Sequence, residues 1–262
     1  MTASKQRSVV DRASTFVRVL KRLVGYIPPG SRILDFGCGR GNMVHGFCNL
    51  GYDAFGCDLD FEGGVIPELT DRGRLSLIAQ EPYTLPFDDG TFDFVVSDMV
   101  FEHVMDYDSA LREVSRVLKD GGASLHVFAS RYTPIEGHAF VPGASLFRGM
   151  WWLRLWATLG IRNEFQQGDP PGVVATKNRD YLRDHTNYPT RREVEQAFRR
   201  SFPVVRFAES EYLLRDEHGG RLSRLRRLIG GLPLLPSIYG ELQNRAVYAA
   251  KVRRRVVGAS SA

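Results

Sequence analysis

Apolar positions recur at two periods along this chain, and their alternation lays out a fold before any motif is considered. In residues 15–24, Phe16, Val17, Leu20 and Leu23 follow a helical period with lysines and arginines between them, and Pro28-Pro29-Gly30 ends the helix. The apolar run Arg32-Ile-Leu-Asp-Phe36 then enters a glycine turn, Gly37-Cys-Gly-Arg-Gly41, after which Val44, Phe47 and Leu50 restore helical spacing. Residues 54–57 predict a second strand ending at Asp58, residues 67–70 a short helix, and residues 75–79 a third strand. Asp88-Asp89-Gly90 turns the chain into a fourth strand at 92–96. Leu111, Val114, Val117 and Leu118 mark a helix over 109–118 that Gly121-Gly122 terminates, and residues 124–128 form a fifth strand.

Strands alternating with helices predict an α/β fold with a doubly wound, mostly parallel sheet, covered on both faces and binding ligands at the carboxyl ends of its strands. The loops after strands one, two and four become the expected site. After the fifth strand the alternation stops. Two aromatic, proline-broken stretches fill residues 131–202 before 204–208 and 246–252 return as late strands, bringing the expected sheet to seven.

The chain has 262 residues, 43% hydrophobic and 25% charged, with no low-complexity tract or fixed-period repeat, which excludes fibrous, disordered and solenoid classes. Cys38, Cys48 and Cys57 do not make a disulfide framework and fit a reducing compartment. Residues 1–22 mix charges with apolar residues, unlike a signal peptide, and no apolar run reaches membrane-spanning length. A cytoplasmic protein without stable membrane insertion is expected. Residues 151–262 hold 20 Lys and Arg against 11 Asp and Glu, a balance of +9, while the preceding half carries 15 against 19, or −4. Such asymmetry suits either an anionic partner or an arginine-rich surface. In residues 221–229, Leu222, Leu225, Leu228 and Ile229 repeat at helical spacing between arginines; Gly230-Gly231 and Pro233 end that helix too early for a membrane anchor, so it is expected to pack on the core or on a second subunit.

Gly37, Gly39 and Gly41 let backbone approach a bound nucleoside where a strand meets a helix. The dinucleotide fingerprint needs its third glycine one residue later, where Asn42 stands, which favours a nucleoside cofactor without a diphosphate. Taken together, Ile33-Leu-Asp-Phe-Gly-Cys-Gly-Arg-Gly41, Gly56-Cys-Asp58, Leu85-Pro-Phe-Asp-Asp-Gly-Thr-Phe-Asp-Phe-Val-Val96, Phe101-Glu-His-Val104 and Glu113-Val-Ser-Arg-Val-Leu-Lys-Asp-Gly-Gly122 resemble the class I, Rossmann-like S-adenosylmethionine-dependent methyltransferases, of the type 11 kind.

The resemblance covers residues 30–130 and implies S-adenosyl-L-methionine as cofactor. Gly37 and Gly39 would then run beneath its methionine part, Gly41 would also belong to the cofactor site, and Asp58 would accept from both ribose hydroxyls, the alternative being a helix N-cap. Asp35 would hold the glycine loop or meet the amino group, and Leu59 would lie against the adenine. Where relatives carry an Asp-Ala pair for the adenine amino group, Glu81-Pro82 stands here, and Glu81 takes that expected role. Ser97 and Asp98 would lie along the methionine portion, with Phe101 and His103 facing or buttressing the cleft; His103 also reads as a packing histidine. The chain is thus expected to be one methyltransferase domain, with an N-terminal helical cap at 1–29, a cofactor-binding core at 30–130, an inserted substrate cap at 131–202, and late strands with the basic helix at 203–262.

Methyl transfer to an alcohol calls for a base. At the rim of the expected site, Arg131-Tyr-Thr-Pro-Ile-Glu-Gly-His-Ala-Phe140 carries Tyr132, Glu136 and His138 on a loop stiffened by Pro134 and turned by Gly137, so His138 is the candidate base with Glu136 orienting it. Asp98, Glu102 and His103 lack diagnostic metal-ligand spacing, and no metal is expected. His45, His126, His185 and His218 default to structural or surface roles. Trp151, Trp152 and Trp156 fit one helical face plus a neighbour, as core or as roof over an acceptor. Neither Asn-Pro-Pro-Tyr nor Asp-Pro-Pro-Tyr follows strand four, where Ser97-Asp-Met-Val100 stands, and no RNA-binding module is evident. O-methylation of a small-molecule, sugar or glycoside hydroxyl is the expected activity, with no nucleic-acid partner and room for a homodimer. The rivals are a lipid or quinone C-methyltransferase and a non-catalytic cofactor-binding scaffold.

Overall fold

The structure, a computed structural model, describes residues 3–61, 64–215, 228–229, 231–232 and 234–252. Of the basic stretch at 221–229, residues 221–227 lie outside the described residues, as does His218. The chain opens with α1 (Ala3–Val24), continues through β1 (Arg32–Phe36), α2 (Asn42–Asn49), β2 (Asp53–Asp58), α3 (Pro67–Asp71) and β3 (Leu75–Leu77), and then makes a small hairpin of β4 (Ala79–Gln80) and β5 (Tyr83–Thr84). β6 (Phe92–Asp98), α4 (Tyr107–Val117) and β7 (Leu118–Ala129) complete the first part. Next come α5 (Met150–Thr158), a 3-10 turn (Glu164–Gln166), α6 (Pro171–Asp184), α7 (Arg191–Ser201), β8 (Val204–Phe207), α8 (Glu209–Arg215), α9 (Leu235–Leu242) and β9 (Asn244–Ala250).

Seven strands form one sheet in the order β3-β2-β1-β6-β7-β9-β8. β1, β2, β3, β6 and β7 run parallel, while β9 is antiparallel to both β7 and β8. This is the mostly parallel α/β sheet that the alternation predicts. Because side chains alternate across a strand, Ile33 and Leu34 enter opposite layers. Ile33 joins Phe16, Leu20, Val44, Phe47 and Val127 beneath α1 and α2, whereas Leu34 joins Leu111, Val114, Phe198 and Val247 beneath α4 and α7. A third, smaller cluster of Val141, Ala144, Leu153, Ala175 and Leu182 holds the inserted segment together.

Four boundaries differ from expectation. The third strand stops at Leu77, and Ala79–Gln80 leaves the sheet for the hairpin. α4 starts at Tyr107 because the Asp106 carboxylate caps it, accepting from the amides of Asp108 and Ser109 at 3.0 and 3.1 Å. Its end runs straight into β7, so Gly121-Gly122 bends a strand instead of terminating a helix; Gly121 has φ +79°, and a Cβ on Gly122 would stand 2.9 Å from the Lys119 carbonyl. Finally α7, expected within the substrate cap, is amphipathic and buries Val194, Ala197 and Phe198 in the sheet's own core. It belongs to the layer over α4.

Candidate functional site

The carboxyl ends of β1, β2 and β6 deliver the turn and the acidic residues of the site. The Gly37 and Cys38 amides both donate to the Cys57 carbonyl, at 2.8 and 3.1 Å, which locks the turn after β1 to the end of β2. Gly37 has φ +77° and lies so close to the loop after β6 that a Cβ there would stand 2.4 Å from Val100 Cγ2. Asp58 accepts from the Gly39 amide at 2.6 Å and from its neighbour Leu59 at 2.7 Å, so its carboxylate is fixed in orientation while its remaining lone pairs stay available. A cavity of about 550 Å³ opens here, walled by Gly37, Asp58, Leu59, Ile78, Tyr83 and His103.

Three carboxylates meet near this turn. Burial, together with the charges of Asp98 and Asp58, pushes the Asp35 carboxyl well above its ordinary value. Asp98 is held by Arg12 of α1, whose Nε donates to Oδ2 at 2.6 Å and whose Nη2 pairs with Oδ1; Tyr212 of α8 receives Nη1. Of the three, Arg12 pairs with Asp98 alone, and the excess of acidic groups near the turn favours a cationic ligand. Apolar walls, a fixed carboxylate suited to a diol, and the acidic groups behind it in the turn region fit a nucleoside carrying a positive charge.

A second cavity, of about 680 Å³, lies within the inserted segment and is lined by His138, Phe140, Asn163, Phe165, Asn178 and Tyr181 among others. The His103 and His138 rings stand edge to face, 4.7 Å between centroids, so the wall of one cavity adjoins the wall of the other. His138 Nδ1 contacts Glu136 Oε1 at 2.8 Å. Glu136 is buried and also accepts from Tyr188 Oη at 2.8 Å and from the amides of His138 and Ala139 at 2.9 and 2.6 Å. Against the cost of burial, these donors hold the Glu136 carboxyl below its ordinary value, keeping it ionised. With Nδ1–H donated to a carboxylate, His138 carries its free lone pair on Nε2, and the bond to Glu136 raises its pKa. His103 makes the same kind of bond to a weaker acceptor, the His185 carbonyl at 2.7 Å, and burial lowers its pKa. His138 is the stronger base of the two.

Several residues expected in the site lie elsewhere. Ser97 is fully buried, its Oγ 2.8 Å from Nδ1 of the equally buried His126, which burial holds down at about 3; it is a core polar pair between β6 and β7. Glu81 sits at the exposed tip of the β4–β5 hairpin, and Gln80 and Tyr83 line the cavity in its place. Tyr132 is exposed in a turn whose Thr133 is tied to the Gln243 carbonyl, away from both cavities; the phenol that reaches Glu136 is Tyr188. Phe101 is buried between Phe36 and Phe128 and buttresses the loop. Gly39 is exposed and open, and Gly41, at φ +81°, caps α2 with a Cβ position 2.7 Å from Leu69. Trp152 donates to the Pro142 carbonyl at 2.8 Å and Trp151 is exposed, so neither roofs the acceptor-side cavity. Sequence reasoning missed Tyr188, Asn163 and Asn178, which the fold brings to the loop from far along the chain. Among the described residues no group of three His, Cys, Asp or Glu gathers as a metal site, and no helix is long and apolar enough to cross a membrane.

Residues 34–125 match the family model described as a methyltransferase domain. The chain is 30% identical over 116 residues to a demethylmenaquinone methyltransferase of Bacillus mycoides, a match covering 42% of this chain and 49% of that protein. The chain therefore spans about half the length of such relatives. Among solved structures it resembles phosphoethanolamine N-methyltransferase 2 of Haemonchus contortus in complex with S-adenosyl-L-methionine, with a TM-score of 0.51 and 17% identity over 91% of this chain and 52% of that one. It also resembles the YcgJ protein of Bacillus subtilis, with a TM-score of 0.50 and 18% identity over 92% and 98%. At such identities the structural likeness speaks to the fold.

Proposed function

Because the chain carries a methyltransferase domain of the class I, Rossmann-like, S-adenosylmethionine-dependent type, we propose that it methylates a hydroxyl of a small molecule, sugar or glycoside, with His138 as general base. S-adenosylmethionine, when bound, supplies a methyl group on a sulfonium that is open to in-line displacement. Asp58 would hold the ribose diol and Leu59, Ile78 and Tyr83 would flank the adenine beside the Gly37 turn. His138 Nε2 takes the proton of the acceptor hydroxyl; Glu136 fixes the tautomer and stabilises the imidazolium, and Tyr188 and two backbone amides fix Glu136.

The observation that carries this reading is the buried Glu136 bound to His138 where the two cavities adjoin. The acceptor-side walls combine the aromatic rings of Phe140, Phe165 and Tyr181 with polar side chains. Gln166 Oε1 accepts the Asn163 amide at 3.2 Å, which turns its Nε2 to Asn178 Oδ1 at 2.5 Å and leaves the buried Asn178 Nδ2 as a donor without a partner among the described residues.

His138 must be neutral to work, and its pKa is raised, so turnover should rise with pH along a limb displaced above the ordinary imidazole range. His138→Ala should lower turnover roughly 10²–10⁴-fold, with little change in cofactor affinity. Unchanged turnover in that variant would remove His138 as base. C-methylation of a quinone or lipid is the second reading, favoured by the relative's substrate and by the exposed Phe140 and Phe165 rings at the acceptor-side cavity.

A further inference from the structure

Tyr181 walls the acceptor-side cavity beside His138, and the two rings also pack on one another. Their centroids stand 5.3 Å apart with 37° between the planes. The same phenol ring meets that of His185 at 5.2 Å and 30°. From the loop after β6, the His103 ring approaches His138 at 4.7 Å and 81°, and its Nδ1 bonds the His185 carbonyl at 2.7 Å. Ring contacts and one hydrogen bond therefore close a circuit around the base, from His103 through His138, Tyr181 and His185 back to His103. Tilted and edge-to-face arrangements with centroids about 4.5–7 Å apart are the favourable geometry for aromatic pairs.

The members of this circuit are not held alike. Tyr181 belongs to α6, whose Val174, Ala175, Asn178 and Leu182 are buried. His185 closes that helix, donating its amide to the Tyr181 carbonyl at 2.8 Å. Beyond it the Asn187 amide donates to the Glu102 carbonyl at 2.6 Å and Asn187 Nδ2 to the Val104 carbonyl at 3.0 Å, which stitches the segment after α6 to the loop that carries His103. His138 instead rides a loop directly after Gly137, with 36% of its side chain exposed. Glu136 holds its Nδ1 at 2.8 Å, but one hydrogen bond fixes one atom of a ring. The last torsion of a histidine side chain is broad, so the ring plane, and with it the direction of Nε2, needs a second restraint. The packed phenol ring supplies it.

We propose that Tyr181 is a positioning residue for the base: its ring sets the plane of the His138 imidazole and so the direction of Nε2, while Glu136 sets which nitrogen carries the proton. This rests on the reading of His138 as general base. The contacts belong to the ring, so the phenol hydroxyl is dispensable; no bond forms to Tyr181 and no proton passes to it. Because Tyr181 stands on α6 and lines the cavity that receives the acceptor, base and acceptor are registered against one helix. A ring released from this packing spends part of its time away from Glu136, in both tautomers, and meets the acceptor hydroxyl in the productive orientation less often.

Nitrogen NMR of the free protein with labelled histidine rings tests this without any acceptor. In the wild type, at a pH where the ring is neutral, His138 is expected as one tautomer, protonated at Nδ1, with nuclear Overhauser contacts to the Tyr181 ring. Tyr181→Leu, which keeps the cavity wall apolar, should mix the tautomers, whereas Tyr181→Phe should keep the wild-type signals of His138. An unchanged tautomer in Tyr181→Leu, or a mixture shared by Tyr181→Phe, would overturn the proposal. Should Tyr181→Leu fail to fold, the wild type decides: one tautomer with ring contacts supports the proposal, and mixed tautomers or missing contacts overturn it. Turnover is read with methyl-labelled S-adenosylmethionine and saturating amounts of a host-extract fraction that yields labelled product. Tyr181→Leu should lose up to about 10²-fold in saturated turnover, the scale set by a misplaced reacting group, and Tyr181→Phe should retain it. A raised apparent KM with saturated turnover intact would mark Tyr181 as a wall alone and overturn the proposal. Tautomer mixing in Tyr181→Leu alongside full turnover of His138→Ala would defeat the base reading and leave the positioning of the ring standing.

Discussion

Asp58 does two jobs at once, because the oxygens that face the cavity also bind the Gly39 and Leu59 amides. Asp58→Ala should therefore cost more cofactor affinity than the ribose bonds alone, each worth about 1.5–3 kcal/mol for a charged acceptor, since the glycine turn also loses its tether. Calorimetric titration with S-adenosylmethionine measures this, and wild-type affinity would contradict it. At this scale the sequence was most informative where chemistry and local geometry coincide. Asp58 at a strand end, and His138 two residues from Glu136 on a Pro134–Gly137 loop, are legible as neighbours along the chain. Tyr188 is not, because only the path of α6 brings it back to Glu136. Ser97 is not legible either: a serine beside the site looks the same in sequence whether it faces ligand or, as here, His126 across the sheet.

Between elements, the site depends on the close approach of the turn after β1 to the loop after β6. Gly37 permits it, at φ +77° and with Val100 where a side chain would be. Gly37→Ala should strain the turn by roughly 1–2 kcal/mol and push Val100 aside, moving the loop that carries Glu102 and His103. The expected result is a lower unfolding midpoint together with weakened S-adenosylmethionine binding; retention of both would show that the approach is unimportant. The strands of the sheet were legible because each is a short apolar run bounded by a turn. The extent of the cap was not. α7 carries the same kind of amphipathic pattern as a cap helix would, and only its packing of Val194 and Phe198 onto the sheet assigns it to the core. The sign of a hydrophobic stripe is visible in sequence, but the surface it meets is not.

Across the whole molecule, two cavities that adjoin at a pair of histidines are joined by a network reaching from β6 to the segment after α6. One side suits a cationic nucleoside; the other carries an oriented base. An α/β sheet of this class is compatible with many acceptors, so the reaction must be judged by its product. The most direct measurement is incubation of the pure protein with methyl-labelled S-adenosylmethionine and a fractionated extract of its own host, followed by locating the label in the product. Label is expected on the oxygen of a hydroxyl-bearing small molecule, formed by the wild type and largely lost in His138→Ala. Label on a ring or chain carbon, or no labelled product from any fraction, would contradict it.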